Sequence, residues 1–233
     1  GRDWSSDVCS SDLLVEHAVA LLLGEPLSAL GLPERVAPGR AWAKEAVFPA
    51  ERFPGAASRG PEMRSTGEVM GFDDSFGMAF AKAQVSAGNV LPEQGKVIVT
   101  VNRRDRQTVT PMVRRLQDLG FEVLATRGTR ESLRELGVTA DLVFKVGEGR
   151  PNIVDHIVTG DIALLINTPL GRQSQYDDYA MRRAAITYGV PYLTTMSATS
   201  AACDALIALK SRRREVRSIQ ERIASLSASS AAP

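Results

Sequence analysis

The sequence has few of the side chains from which common catalytic and metal sites are made. It contains two cysteines, Cys9 and Cys203, and two histidines, His17 and His156. Two cysteines cannot form a disulfide framework, and no Cys/His group has the spacing of a zinc site. A reducing, cytoplasmic setting is therefore expected. Neither histidine suits a general base, because His17 lies in an N-terminal segment and His156 is expected on the surface of a short helix.

Charge and hydropathy exclude two further classes of protein. The net charge of +1 lacks the basic excess that is typical of a dedicated nucleic-acid-binding protein. No apolar run reaches the ~20 residues that a membrane-spanning helix needs, so no membrane contact is expected. Hydrophobic residues make up 44% of the chain and charged residues 24%, which indicates a soluble globular protein.

The common nucleotide-binding motifs are also absent. The chain has neither a Walker-type glycine loop nor the G-x-G-x-x-G fingerprint, and the lack of an acidic ribose ligand further excludes a Rossmann dehydrogenase. Asp105 and Glu148 stand among cations, which should keep them ionised and paired rather than tuned for proton transfer. Asp177 and Asp178 are expected to cap the following helix. These loops are therefore suited to hold an anion and poorly suited to transform one.

From residue 96 onward, apolar strands alternate regularly with amphipathic helices. This pattern predicts an α/β fold with a five-stranded, mostly parallel sheet and helices on both faces. Ligands of such sheets bind outside the carboxyl ends of the strands. The predicted strands cover residues 97–101, 121–125, 142–146, 162–166 and 192–194, and the predicted helices cover 108–119, 129–136, 153–158, 176–188 and 197–209.

The two ends of the chain differ from this pattern. Residues 1–13 show no helical or strand period and resemble the translation of a sequencing-adapter read, so the native protein is expected to begin upstream of Leu14. Residues 14–90 predict a short helix, two strands and a helix capped by Asp74 or Ser75. They hold too little apolar material for a core of their own, which indicates the tail of a larger domain. Residues 212–223 predict a polar helix, and a disordered tail follows.

The segment Thr126-Arg127-Gly128-Thr129 ends one predicted strand and opens a helix. The free N–H groups and positive dipole end of a helix attract phosphate, and Gly128 permits close approach of the backbone. The alternative is an ordinary threonine N-cap.

Polar side chains also follow the neighbouring strands. Arg106 stands at a helix entrance and suits bidentate phosphate contacts. Lys145, inside an otherwise apolar strand, is expected to emerge into the ligand crevice. Asn167 either contacts a base or sugar edge or holds its own turn. Together these loops favour an anion site over a simple helix cap.

The sequence GPEMRSTGEVMG at residues 60–71 resembles the closing segment of the last ATP-grasp domain of carbamoyl-phosphate synthase large chains. Residues 121–129, 145–153 and 166–172 resemble the C-terminal allosteric domain of that enzyme, which has the methylglyoxal-synthase-like fold. The resemblance spans about residues 14–223. It implies a C-terminal fragment with an ATP-grasp remnant at 14–90, an effector-binding domain at 91–211, and a polar helix and tail at 212–233.

The family makes carbamoyl phosphate from bicarbonate, glutamine-derived ammonia and ATP, for arginine and pyrimidine synthesis. The resemblance implies that ATP and Mg²⁺ or Mn²⁺ bind upstream, so the fragment carries neither catalytic residues nor a cofactor. The implied partners are a UMP-like nucleotide and, through the intact large chain, the glutamine amidotransferase small chain. The resemblance also allows a homo-oligomer. The implied contacts to the nucleotide phosphate are Thr100, Arg106, Thr126, Gly128, Thr129, Lys145 and Asn167.

Two further points depend on the resemblance. Some members bind ornithine, and Glu45, Tyr192 and Thr194 match parts of that second effector site. Some members have a lysine where this chain has Arg106, which keeps the charge. Some have a threonine where this chain has Pro169, so this chain lacks that hydroxyl, which bears on the identity of the effector.

Methylglyoxal synthase, a phosphate lyase, is the alternative reading. It needs aspartates where this chain has Arg150 and Thr168, so lyase activity is not expected.

Overall fold

The computed structural model describes residues 10–31, 41–47, 67–169, 174–218 and 220–221, with side chains from Glu16 onward and, in the helix that begins at Ser174, from Asp178 onward. The tail predicted to be disordered lies outside these residues, as do residues 1–9. The chain divides into two compact units, one within residues 39–214 and one within 1–38 and 215–233. In the latter, helix α1 covers Ser10–Leu22 and so begins inside the stretch expected to lack helical period.

The larger unit begins with an antiparallel hairpin of β1 (Ala41–Val47) and β2 (Gly67–Asp73), followed by helix α2 (Phe76–Ser86). The side chain of Ser75 caps α2 by accepting from the Met78 N–H, as one of the two predicted alternatives requires.

Five further strands form the predicted parallel sheet. They are β3 (Lys96–Val101), β4 (Glu122–Ala125), β5 (Asp141–Leu142), β6 (Leu164–Thr168) and β7 (Tyr192–Leu193), in the spatial order β5-β4-β3-β6-β7. Every pair of neighbours is parallel. The connecting helices are α3 (Arg106–Asp118), α4 (Arg127–Glu135), α5 (Ile153–Val158), α6 (Ser174–Thr187) and α7 (Met196–Ser211). The fold class expected from the sequence is therefore confirmed.

Helices cover both faces of this sheet. Successive residues of a strand point to opposite faces, and in β3 Val97 and Val99 enter one core while Ile98 enters the other. The first core is closed by α3, α4 and α7, and the second by α5 and α6. Because the side chains of β3 are buried in a core on each face of the sheet, a ligand can reach this strand only at its carboxyl end. The same holds for β4 and β6.

Helix α2 packs tightly against α7 within the same compact unit. A Cβ atom added to Gly77 would lie 2.6 Å from the carbonyl carbon of Asp204 and 3.1 Å from the Ala205 nitrogen. The segment assigned by resemblance to an ATP-grasp remnant is therefore in close contact with the sheet domain, and the division near residue 90 stays a prediction from the resemblance.

Two predicted elements are shortened or not formed in the structure, while others, such as β6 and α6, are shifted by one or two residues. The strand expected at 142–146 stops at Leu142, and Phe144 makes an isolated bridge to Asn152 instead. The polar helix expected from Arg212 does not form over residues 212–218: Arg212 is extended and its guanidinium donates to Asp73 and Ser75. None of the helices in the described ranges is both long and apolar enough to cross a bilayer.

Candidate functional site

A row of polar residues crosses three neighbouring strands at the carboxyl edge of the sheet. Thr100 of β3 pairs with Asn167 of β6, and Val99 pairs with Ala125, which places Thr126 beside Thr100. The row therefore runs Thr126, Thr100, Asn167. All three residues are buried.

Three hydroxyl groups meet at the end of this row nearest to α4. The Thr126 Oγ1 lies 3.3 Å from the Thr100 Oγ1 and 3.4 Å from the Thr129 Oγ1. The Thr129 Oγ1 in turn accepts from the Val101 N–H at 3.3 Å. These contacts tie the first turn of α4 to the end of β3, so the start of the helix is held in a fixed position.

Thr126 occupies the N-cap position of α4 but does not cap the helix through its side chain. Its hydroxyl is turned toward Thr100 instead. Within the described residues, no acceptor is found for the backbone N–H groups of Arg127, Gly128 and Thr129, and the first intrahelical bond is donated by Arg130. The side-chain capping alternative is therefore not formed, and the positive end of α4 keeps free donors.

The guanidinium of Arg106 lies directly on Gly128. A Cβ atom at Gly128 would collide with the Arg106 Nη2 and lie 3.0 Å from its Cζ. The Arg106 Nε is buried without a hydrogen-bond partner, and no carboxylate of the described residues pairs with this guanidinium. Arg106 as a whole is half-buried, so the cost of an unmade hydrogen bond falls on its Nε unless a ligand accepts from it. An anion at this position would meet both the arginine and the helix N-terminus.

Lys145 is not brought to this cluster by any contact in the described part of the chain. The residue is exposed and lies beyond the end of β5, where its carbonyl accepts from the Glu148 N–H at 3.1 Å. The chain leaves the sheet here because Asn152 and Asp155 form a capping box that starts α5. The participation of Lys145 in a phosphate site therefore stays a prediction.

Asn167 belongs to a polar network with α6 and β7. Its Nδ2 donates to the Asp178 Oδ1 at 2.8 Å and to the Tyr192 hydroxyl at 2.6 Å. The Tyr192 hydroxyl also donates to Asp178, and Arg182 pairs with the other carboxylate oxygen at 2.7 Å. Burial, followed by the Asp178 carboxylate, raises the pKa of Tyr192 well above its usual 10.

Asp178 was expected to cap α6, and this expectation is wrong. The helix begins at Ser174, so Asp178 lies inside it with its carboxylate bonded to the network. The side chain of Asp177 lies outside the described residues.

The three residues implied for an ornithine-like ligand are not joined by a contact. Tyr192 is bonded to Asn167 and Asp178, whereas Thr194 is exposed. Glu45 accepts from the Gln84 Nε2 at 2.9 Å, and burial raises the pKa of its carboxyl despite that hydrogen bond. This second site stays a prediction.

Other candidate catalytic groups serve local structure. The His156 side chain is only 15% exposed, so it does not lie on the surface as expected, and its Nδ1 lies 2.8 Å from the Asp161 carboxylate. Asp105 accepts from Asn102 rather than from an arginine, and Asn102 also bonds to Thr168 at 3.1 Å. Within the described ranges, no three His, Cys, Asp or Glu side chains lie together as metal ligands would.

Comparisons with known proteins agree with this architecture. The family described as "MGS-like domain" matches residues 108–194. The "Carbamoyl phosphate synthase large chain" of Archaeoglobus fulgidus is 45% identical over 210 residues, which cover 89% of this chain and 20% of that protein. The "Carbamoyl phosphate synthase large chain, C-terminal section" of Methanopyrus kandleri is 49% identical over 191 residues, which cover 81% of this chain and 35% of that protein.

Among solved structures, methylglyoxal synthase from Elizabethkingia anophelis NUHP1 aligns at 18% identity over 47% of this chain and 76% of its own, with a TM-score of 0.39. The strand order and the match to the MGS-like domain identify the fold. The chain spans a fifth and about a third of the two carbamoyl phosphate synthase relatives. It belongs with the carbamoyl phosphate synthase large chains, as their C-terminal part that contains the MGS-like domain.

Proposed function

We propose that the carboxyl edge of β3, β4 and β6 binds the phosphate of a UMP-like nucleotide, and that this binding regulates carbamoyl phosphate synthase. One observation carries the proposal: the uncapped N-terminus of α4 lies beneath the unpaired guanidinium of Arg106. Both groups attract the same charge, and neither has an anionic partner among the described residues.

The phosphate would accept from the N–H groups of Gly128 and Thr129 and from the Arg106 guanidinium. The absence of a Cβ at Gly128 lets all three donors converge. Each hydrogen bond to a charged group contributes about 1.5–3 kcal/mol, so these donors would dominate the affinity. The Thr100 hydroxyl, for which no acceptor is found among the described residues, is a fourth donor. Lys145 would add its charge from the following loop.

Regulation would follow from a population shift. A nucleotide that binds one state of the synthase better than another moves the enzyme toward that state, by a coupling free energy of about 1–3 kcal/mol. The intact cytoplasmic enzyme would use ATP, Mg²⁺ or Mn²⁺ and a glutamine amidotransferase partner to make carbamoyl phosphate from bicarbonate and ammonia for arginine and pyrimidine synthesis.

The chain itself is proposed to be non-catalytic. Arg150 and Thr168 stand where a lyase of this fold would need carboxylates, and Thr168 is buried and bonded to Asn102. An assay with dihydroxyacetone phosphate tests this alternative, since turnover at enzymatic rates would favour the lyase.

Calorimetry with UMP tests the site. Arg106→Ala should weaken binding by about tenfold or more, the equivalent of one charge-assisted hydrogen bond. Arg134→Ala is the matched control, because it removes the same charge from an exposed position in the last turn of α4. Equal affinities of the two variants would refute the site assignment. A smaller loss is expected for Lys145→Ala, and unchanged affinity would remove Lys145 from the site.

A further inference from the structure

The loop between β3 and α3 is built around Asn102. Its Oδ1 accepts from the Arg104 N–H at 2.9 Å, and its Nδ2 donates to the Asp105 carboxylate and to the Thr168 Oγ1 at 3.1 Å. Its backbone N–H donates to the Thr168 Oγ1 at 3.2 Å, and its carbonyl accepts from the Asp105 N–H at 3.1 Å. This half-buried asparagine therefore ties the end of β3 both to β6 and to the start of α3.

The neighbours of Asn102 fix the way in which its amide is turned. A backbone N–H can only donate and a carboxylate can only accept, so the amide oxygen must face Arg104 and the amide nitrogen must face Asp105. An apolar side chain at position 102 would satisfy neither neighbour. The contacts therefore require both ends of the amide.

The first turn of α3 depends on this loop. Asp105 occupies the N-cap position, where an aspartate commonly accepts from the helix N–H groups, but its side chain makes no such bond and accepts from Asn102 instead. Arg106 is the first residue of the helix, so the place where α3 begins sets the place of its guanidinium. That guanidinium lies directly on Gly128 at the start of α4.

We propose that Asn102 is a positioning residue for the anion site: it holds Asp105, and with it the first turn of α3, so that the Arg106 guanidinium stays on Gly128. This rests on the proposed function, in which that guanidinium and the start of α4 share one phosphate. Asn102 is not among the phosphate contacts that the family resemblance implies. It acts through Arg106 rather than by touching the ligand.

Calorimetry with UMP on the full chain tests whether Asn102 acts through Arg106. Asn102→Ala should weaken binding about tenfold, the equivalent of one hydrogen bond to a charged group. In protein that already carries Arg106→Ala, the same change should weaken binding by less than about twofold, because no guanidinium is left to position. Asn89→Ala is the matched control, since Asn89 is exposed in the loop before β3, and it should keep the wild-type affinity.

Two outcomes of this cycle would overturn the proposal. One is that the losses from Asn102→Ala and Arg106→Ala multiply in full, because Asn102 would then act independently of the guanidinium. The other is an unchanged UMP affinity in Asn102→Ala. If that variant also lost stability in urea unfolding, Asn102 would support the fold without positioning the site.

An exchange of the two side chains tests the pair of Asn102 and Asp105. Asn102→Asp keeps an acceptor for the Arg104 N–H but sets two carboxylates against each other, and should weaken UMP binding at least as much as Asn102→Ala. Adding Asp105→Asn again places an amide opposite a carboxylate, and should bring most of the lost affinity back. A double variant that binds UMP no better than Asn102→Asp would overturn the proposal.

The free protein offers a test that needs no nucleotide. Because the Arg106 guanidinium lies on Gly128, Asn102→Ala should shift the backbone amide NMR signal of Gly128, and Asn89→Ala should not. The double variant Asn102→Asp/Asp105→Asn should return the signal toward its wild-type position. An unmoved Gly128 signal in Asn102→Ala would overturn the proposal. If the wild-type protein binds no UMP, the proposed function fails, and this measurement still decides whether Asn102 positions Arg106.

Discussion

Replacing Gly128 by alanine should separate the stability of the fold from its ability to hold phosphate. Gly128 lies in the first turn of α4, and its φ is not in the left-handed region. Alanine is favoured over glycine in a helix by up to about 1 kcal/mol, so Gly128→Ala should not lower the free energy of unfolding.

The same methyl group should disrupt the anion site. It would collide with the Arg106 guanidinium, with the Cζ at 3.0 Å, and this side chain would move because its end is the flexible partner in the contact. Displacing the guanidinium removes hydrogen bonds to a charged ligand that contribute about 1.5–3 kcal/mol. The affinity for UMP should therefore fall about 10- to 150-fold.

Calorimetry with UMP and urea unfolding measure the two quantities. Ser132→Ala is the control, since it raises helix propensity one turn further along α4. Both variants should be at least as stable as the wild-type protein, and Gly128→Ala alone should lose affinity. Unchanged UMP affinity in Gly128→Ala would refute the inference that Arg106 and α4 share one anion. A loss of affinity that accompanies a loss of stability would refute it as well.

Three further predictions concern the scaffold. Gly77→Ala should lower the free energy of unfolding by about 2 kcal/mol in urea titrations with an unchanged m-value, because the methyl group meets the backbone of α7 at Asp204. Cys203 should stay unlabelled by iodoacetamide in the folded protein at pH 8, as shown by peptide mapping, since it is buried and its pKa is raised to about 11. Burial raises the pKa of Asp73, but the hydrogen bonds from Lys82 and Ser75 and the charges of Lys82 and Arg212 together hold it below 3.8. Its contribution to stability should be complete above about pH 4 and lost at lower pH, and Asp73→Asn should reduce that acid dependence in unfolding titrations.

The alternation of strands and helices could be predicted from the sequence because the central strand β3 is a nearly continuous apolar run and α3 buries Val109, Val113 and Leu116 on one face. Helix α5 has the predicted bounds of 153–158, since its capping box is a local signal between Asn152 and Asp155. The same capping box explains why the strand predicted at 142–146 stops at Leu142. The chain bends toward that cap, with the Ile153 N–H donating to Phe144 at 3.1 Å, and hydropathy alone does not show such a bend.

The positions of Thr126 and Thr129 could be predicted because a strand end and a helix start lie next to each other in the sequence, while their role in binding phosphate stays a prediction. The network around Asp178 could not be predicted, because its partners lie 11 and 14 residues away in the sequence, on two different strands. Which face of α6 meets β6 depends on tertiary packing. A residue expected to cap a helix therefore proved to be part of a buried network.

The most direct test of the account is a titration with UMP followed by the backbone amide signals of Arg127, Gly128 and Thr129. These groups have no acceptor among the described residues, and a phosphate at the start of α4 would supply one. We expect the Gly128 and Thr129 proton signals to move downfield and saturate, and Arg106→Ala to weaken the response. Saturable binding that leaves these amide signals unmoved would contradict it.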